Sequence, residues 1–302
     1  MTVQIKIPGV QFSDADQLPV IRADSILPAA GALLLIDPTH PVGAWAAGVP
    51  AHDAAVPNIA WQQAAAVLGS GTQESLEGSI YSVGMAGAQG LVERTARGGL
   101  HAIISPTVAF TDATVGYNVA APQAIADYIR ANPLHKYYGS IWHRVTRVAD
   151  ASFTTLFSTV NTDTMFAMTF ARATNLAQAG GKDGEGAIDD TTGGNRFRNM
   201  AATPGSGYAT DPVVNATNFG PGPRSIFLVG NRHNVNGTSS SGARRGKGGS
   251  RIFYRYYLED LTVSGRSYAA VDALDRALFA QLCNTDGGRY HGDTFTDPAA
   301  IP

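Results

Sequence analysis

Apolar positions along this chain fall into short runs and two-residue alternations broken by turn-forming residues, the pattern of β-strands rather than of long helices. Leu100 to Pro106 is a brief apolar run. Ser140 to Ala149 alternates, with Ile141, His143, Val145 and Arg147 on one face and Trp142, Arg144, Thr146 and Val148 on the other. Phe153 to Val160 and Thr164 to Thr174 follow after turns at Ala149-Asp150-Ala151 and Asn161-Thr162-Asp163, so the three runs predict an antiparallel meander. Arg224 to Val235 and Arg251 to Val263 are two further strong strand candidates, separated by a Gly/Ser-rich stretch.

Two helices stand out. Pro122 to Ala131 opens on proline, favoured in a first turn, and stops at Asn132-Pro133. Tyr268 to Leu282 carries Val271, Leu274, Leu278 and Leu282 at helical spacing, with Ser267 as its N-cap and Asp272 adding early negative charge. Many strands with two lone short helices predict a mainly β fold, an antiparallel β-sandwich rather than βαβ units.

Residues 1–75 read differently. Pro8, Pro19, Pro28, Pro38, Pro41, Pro50 and Pro57 interrupt a stretch that is nonetheless apolar, with Leu33-Leu34-Leu35-Ile36, Val42, Trp45, Val49, Ile59, Trp61, Val67 and Leu68. Proline fixes φ and removes an amide donor, so this stretch predicts an extended arm rather than one regular element. Its apolar surface would lie on the body or on a neighbouring subunit, each fully buried Leu or Val contributing roughly 1.5–3 kcal/mol. A short helix from Asn58 to Leu68, capped by Asn58, is expected within it. The body would then span residues 76–302, with a long irregular loop at 176–223 rich in Gly, Asp, Asn and Thr.

Composition sharpens this picture. Charged residues make up only 15% of the 302, while there are 34 glycines and 16 prolines, which suits many turns and few solvated helices. A net charge of −2 argues against a general nucleic-acid binder. The N-terminal MTVQIKIPGVQF lacks the apolar core of a signal peptide, and Ile26 to Ile36 is too short to span a membrane, so folding in a reducing cytoplasm is expected. The sequons at Asn215 and Asn236 then carry no meaning.

Two stretches carry a resemblance. FYRYYLEDLTVSGRSYAAVDALD resembles the closing strand and following helix of concanavalin A-like (laminin G-like) jelly rolls, through Phe253, Tyr254, Tyr256, Leu258, Leu261, Ser264, Val271 and Leu274. HKYYGSIWHRVTR resembles a strand of such domains that turns its tryptophan, here Trp142, into the core. Over residues 33–282 the chain resembles virion proteins of tailed bacteriophages, in which an N-terminal arm leads into such a domain. Asp37, Thr39, His40, Pro41, Gly43, Pro57, Asn58, Ile59, Ala60 and Trp61 match that arm. The resemblance implies a virion location, a jelly-roll fold and a homo-oligomer, with threefold symmetry as the expectation; it carries over no catalytic residue.

Candidate chemistry is sparse. Jelly rolls also serve glycosidases, which need two carboxylates facing one another at a set spacing. Glu259 and Asp260 are adjacent and so point to opposite faces of a strand. Asp183, Glu185, Asp189 and Asp190 cluster in a Gly-rich loop, which reads as solvated, with calcium as the alternative. Gly242-Ala243-Arg244-Arg245-Gly246-Lys247 has the wrong glycine spacing for a phosphate loop and is followed by Gly248, leaving a basic hairpin tip or an anion contact. His40, His52, His101, His135, His143, His233 and His291 show no zinc spacing, and His143 reads as a half-exposed cross-strand residue rather than a ligand. Cys283 reads as a small buried hydrophobe, with His291 the only histidine near it in sequence. No GxSxG occurs, and no Ser, His and Asp set is assignable from spacing. Tyr254, Tyr256 and Tyr257 beside Phe253, with Tyr137 and Tyr138, read as core or subunit interface, with a glycan-stacking platform as the alternative.

The sequence therefore predicts a non-enzymatic structural component of a bacteriophage particle, of the tail, baseplate or fibre. It would contact other virion subunits through its arm and touch a host-surface glycan or protein. It would have no cofactor, no metal, no nucleic-acid partner and no membrane span. A capsid-decoration or head-fibre role, a carbohydrate-active enzyme on the same fold, and a soluble lectin are the alternatives.

Overall fold

The structure, a computed structural model, describes residues 24–108, 115–132, 135–147, 157–158, 169–170, 194–202, 225–230 and 249–301. Twelve strands lie among them: β1 (Ala32–Ile36), β2 (Ala55–Val56), β3 (Gly78–Val83), β4 (Gly90–Arg94), β5 (Leu100–Ile104), β6 (Gly116–Ala120), β7 (Tyr137–Arg147), β8 (Phe157–Ser158), β9 (Thr169–Phe170), β10 (Gly194–Ala202), β11 (Ser225–Gly230) and β12 (Ser250–Asp260). The α-helices are α1 (Trp61–Leu68), α2 (Gln123–Ala131), the single turn α3 (Leu261–Ser264) and α4 (Tyr268–Phe279). The protein is mainly β, with antiparallel sheets and few helices.

β12 organises the larger sheet. One of its edges pairs with β7 from Ser250↔Arg147 to Asp260↔Tyr137. The other edge is shared end to end, by β5 against Ser250–Phe253 and by β1 against Tyr256–Glu259. β10 extends the sheet beyond β7 and β4 extends it beyond β5. A second sheet runs in the order β11-β6-β3-β2, and β8 pairs with β9. One core cluster takes side chains from both sheets: Leu34, Ile36, Leu100, Phe253, Tyr256 and Leu258 from the first, Val56, Ile80, Tyr117, Val119 and Phe227 from the second. The far face of the first sheet is also covered: Trp142, Ile252 and Tyr254 pack with Cys283 and Tyr290, and Tyr138 and Tyr257 pack with Leu261 and Val271. Covered on both faces, β12 is buried at every one of its 11 residues.

The proline-rich segment corrects the expectation of an arm at 1–75. Leu33-Leu34-Leu35-Ile36 is β1, wholly buried and hydrogen-bonded to β12. The run is proline-free and apolar on both sides, which suits a strand covered on both faces. Its free edge is completed by Asn58, whose Oδ1 accepts from Leu35 N and whose Nδ2 donates to Leu33 O, each at 3.0 Å. Ile59 N adds a bond to Leu35 O at 2.9 Å, so a side chain and one peptide stand in for a neighbouring strand. Asn58 was expected to cap a helix; α1 instead begins at Trp61 with Ala60 at its N-cap. Gly31 feeds the chain into β1 at φ +100°, where a β-carbon would lie 2.7 Å from Ser264 Cβ and 2.8 Å from Asp260 O. From residue 24 onward this segment belongs to the body; residues 1–23 lie outside the described residues.

Other expectations divide in the same way. α2 and the Ser267 cap of α4 lie where the sequence places them, with Ser267 Oγ accepting from Ala270 N at 3.2 Å. In α4, however, Leu274 is 42% exposed while Val271 and Asp275 form the buried face. The strand expected at 251–263 ends at Asp260, and residues 261–264 turn into α3. The irregular region expected at 176–223 contains β10, an edge strand held by its ladder to β7 from Gly194↔Val145 to Ala202↔Tyr137. Of the predicted meander, β8 and β9 form the expected antiparallel pair, whereas the partners of β7 are β12 and β10. The four loop acids, the basic tip at 242–247, both sequons and His233 lie outside the described residues. Among the described residues, no helix is long and apolar enough to cross a membrane.

Candidate functional site

Buried polar side chains lie on the far face of the larger sheet, against which residues after α4 pack. Three clusters follow from how side chains alternate along β12, β7 and β5.

The first joins four strands. His101 on β5 and Ser250 on β12 are both wholly buried. His101 Nδ1 lies 2.8 Å from Glu93 Oε1, and His101 Nε2 lies 2.7 Å from Ser250 Oγ and 2.9 Å from Thr146 Oγ1. Glu93 is itself held by Thr296, whose N–H and Oγ1–H each donate to it at 2.7 Å. Burial pushes the His101 imidazole below its ordinary pKa against the pull of Glu93, so the ring is neutral at pH 7. Burial pushes the Glu93 carboxyl up, but hydrogen bonds from His101 and Thr296 outweigh it and hold Glu93 below its ordinary range. Hydroxyl, imidazole and carboxylate stand in the order of a hydrolytic relay. The Phe295 ring closes over it, its centroid 5.0 Å from that of His101.

The second cluster ties distant parts of the chain to β12. Arg255, 1% exposed, donates to Asp24 Oδ2 at 2.8 Å and lies 3.7 Å from Asp37 Oδ2. Its guanidinium sits 4.7 Å from the Trp142 ring centroid. Asp37 also takes Arg289 and the Tyr290 hydroxyl, the latter at 2.6 Å. His40 Nε2 meets Asp24 Oδ2 at 3.2 Å. Burial would raise the Asp24 carboxyl, but the His40 hydrogen bond and the Arg255 charge win and hold it far below the usual carboxylate range. Asp275 shows the opposite balance. Tyr138 Oη and Trp142 Nε1 donate to it at 2.9 and 3.1 Å, yet burial on α4 pushes it up to about 6 despite Arg255 nearby.

That shift has a measurable sign. A carboxyl raised in the fold favours the folded state when protonated, so its contribution is full below pH 4 and is lost as pH rises through about 6. Asp275→Asn cannot ionise. Its Tm relative to the unsubstituted protein is expected to rise between pH 4 and pH 7, by the few degrees that correspond to about 3 kcal/mol or less. Thermal melts at the two pH values check this, and a difference that does not change with pH contradicts it.

The third cluster is a polar cleft of about 410 Å³ lined by Arg144, Cys283, Asn284, His291, Gly292 and Asp293. Cys283 and His291, close in sequence, thus line the same cleft. Burial pushes the Cys283 thiol up to about 12, so it remains protonated and is no nucleophile at neutral pH. Asp293 Oδ1 accepts from Arg97 N at 2.8 Å and Oδ2 from the Tyr254 hydroxyl at 2.9 Å.

No protein-family model and no curated protein matches this chain.

The aromatic residues singled out in the sequence go to the core: Tyr137, Tyr138, Phe253, Tyr254, Tyr256 and Tyr257 are all buried, which leaves them no face for stacking on a sugar. Glu259 and Asp260 are buried too. Glu259 holds Arg266 and the Tyr257 hydroxyl, and Asp260 caps α3, so neither faces the other across a cleft. His143 is a buried strand residue rather than the half-exposed one expected. Sequence reasoning missed Glu93, Thr146, Ser250, Thr296, Arg255 and Asp275. Among the described residues, no three His, Cys, Asp or Glu side chains converge for a metal.

Proposed function

We propose that this chain is a non-catalytic structural subunit of a bacteriophage particle, a jelly-roll β-sandwich of the tail, baseplate or fibre that also contacts a molecule of the host surface. The observation that carries this reading is how the polar groups are spent. Arg255, Arg266 and Arg289 each bind stretches far apart in the chain, joining the segment at 24–37 and the residues after α4 to β12. Ser250, the hydroxyl nearest the neutral His101 imidazole that Glu93 holds, is buried with that imidazole beneath Phe295. A nucleophile must reach its substrate, whereas a subunit of an assembled shell gains from cross-links between its chain ends. The resemblance of residues 33–282 supplies the virion setting.

Three results are expected. Mass spectrometry of purified particles finds the chain as a stoichiometric component. Light scattering on the isolated protein gives a multiple of its 31.6 kDa mass, with threefold symmetry the first expectation. Incubation with host polysaccharide releases no oligosaccharide, and a fluorophosphonate probe leaves Ser250 unlabelled. Labelling of Ser250, or released sugar that His101→Gln abolishes, would replace this reading with that of a hydrolase.

A further inference from the structure

The third cluster has unused hydrogen-bonding capacity. Arg144 stands on β7 with one face of its guanidinium against Phe295, 4.7 Å from the ring centroid. Among the described residues its sole hydrogen bond is from Nη1 to Asp293 O at 3.3 Å. A guanidinium carries five N–H donors in a planar fork, so among the described residues most of this one is uncommitted. Asn284, exposed at the end of the turn Ala280–Asn284, has no side-chain hydrogen bond among the described residues. Among the described residues His291 meets Asp286, with Nδ1 at 3.4 Å from Oδ1, and its Nε2 has no partner there. The lining also holds a carboxylate, Asp293, whose two oxygens face Arg97 N and the Tyr254 hydroxyl; among the described residues it makes no ion pair with Arg144, which reaches only its backbone oxygen.

Besides the Asp293 carboxylate held by Arg97 N and Tyr254, the lining offers one cation with a planar donor fork, an amide and an imidazole around a pocket of about 410 Å³. A pocket of that order holds a small ligand of roughly one or two rings. A planar fork pairs with an oxyanion through parallel N–H···O bonds, and the amide and imidazole suit hydroxyl groups beside it. We propose that this cleft binds a sugar bearing an oxyanion, with Arg144 holding the charged group and Asn284 and His291 the hydroxyls. The inference rests on the host-contact part of the reading above and gives that contact a chemical class. A uronic acid carboxylate and a sugar phosphate present the same chemistry to Arg144, and the test separates them.

The experiment is a titration of the full ¹⁵N-labelled chain, followed by NMR, with tri-galacturonate, with a hexose phosphate and with neutral galactose oligomers. The amides of Asn284, Gly292 and Asp293 are expected to shift and saturate with a Kd of about 1 mM for at least one charged sugar. Binding of the neutral oligomers should be at least tenfold weaker. The better of the two charged ligands identifies the source of the oxyanion. Arg144→Gln should weaken binding about tenfold, the loss of one charge-assisted pair. Arg144 also packs on Phe295, so Asn284→Ala at an exposed position provides the second variant, expected to weaken binding a few-fold while leaving the melting temperature unchanged. Equal binding of charged and neutral sugars overturns the proposal. So does the absence of shifts at these amides with about 10 mM of either charged sugar, ten times the expected Kd. Absence of binding from a chain that is present in purified particles removes only this inference. Binding by a chain that is absent from particles removes the virion reading and leaves the site.

Discussion

Arg255→Met is expected to lower stability by about 3–5 kcal/mol, the cost of leaving a buried ion without its partner. The guanidinium is buried between Asp24, Asp37 and the Trp142 ring, and methionine keeps most of its bulk over that ring. The loss therefore reports charge rather than volume. Asp24 keeps His40 and the Ile26 amide, and Asp37 keeps Arg289 and Tyr290, but both carboxylates stay in a site shielded from water. In a melt this is a fall of about 10 °C. The effect depends on pH with a definite sign. A carboxyl held below its ordinary pKa contributes stability above about pH 4 and loses it as pH falls towards its folded value. The gap between Arg255→Met and the unsubstituted protein is therefore widest near pH 7 and narrows in acid. Urea unfolding at pH 7 and pH 3 measures both; a variant within about 0.5 kcal/mol of the unsubstituted protein at pH 7 would remove the ion cluster from the explanation of the fold.

Asp260→Ala is the second large effect. One wholly buried carboxylate serves four donors: Thr262 N at 2.9 Å and Val263 N at 3.2 Å on Oδ1, and the Tyr128 hydroxyl at 2.9 Å and His135 Nδ1 at 2.6 Å on Oδ2. It thereby ties α2 and the entry to β7 onto the end of β12 and caps α3. Alanine removes the cap, worth about 1 kcal/mol, and takes the acceptor from the half-buried Tyr128 hydroxyl and from His135 Nδ1, about 1 kcal/mol each. A loss near 3 kcal/mol is expected. Asp260→Asn keeps an oxygen for the two backbone amides and should lose about half as much. Hydrogen exchange around Tyr128 and His135 should quicken in both variants. Equal loss in the alanine and asparagine variants would place the effect in the charge rather than in the geometry.

These residues mark where the sequence is silent. Strand runs such as Leu100–Ile104 and Ser250–Asp260 announce themselves by composition, because a strand covered on both faces must be apolar or aromatic along its length. Helix α2 is marked by its proline and its stop. The run Leu33–Ile36 is equally visible as an apolar segment, but its destination is not: its partners Tyr256–Glu259 are more than 200 positions away, and flanking prolines argue locally against a sheet. β10 is lost for the converse reason, since pairing with the edge of β7 supplies what its composition does not.

Charges are harder still. Arg255, Glu259 and Asp260 interrupt the apolar pattern of β12, yet each is buried against a partner that lies outside the strand. Leu274 and Asp275 exchange the roles that helical periodicity gives them, because Tyr138 and Trp142 present two donors to the face where Asp275 lies. Glu93, His101 and Ser250 are 8 and 149 positions apart along the chain, and only the pairing of β4, β5 and β12 brings them together. Cys283 and His291 gave a weak hint of proximity, but Arg144, the cation of the cleft, comes from β7.

Cryo-electron microscopy of the purified phage particle is the most direct test of the virion reading. Density into which the two antiparallel sheets fit, repeated by the particle's own symmetry and with the Arg144 cleft turned to the outside, is the expected result. A particle whose every density is filled by other chains, with this protein free in the lysate, would contradict it.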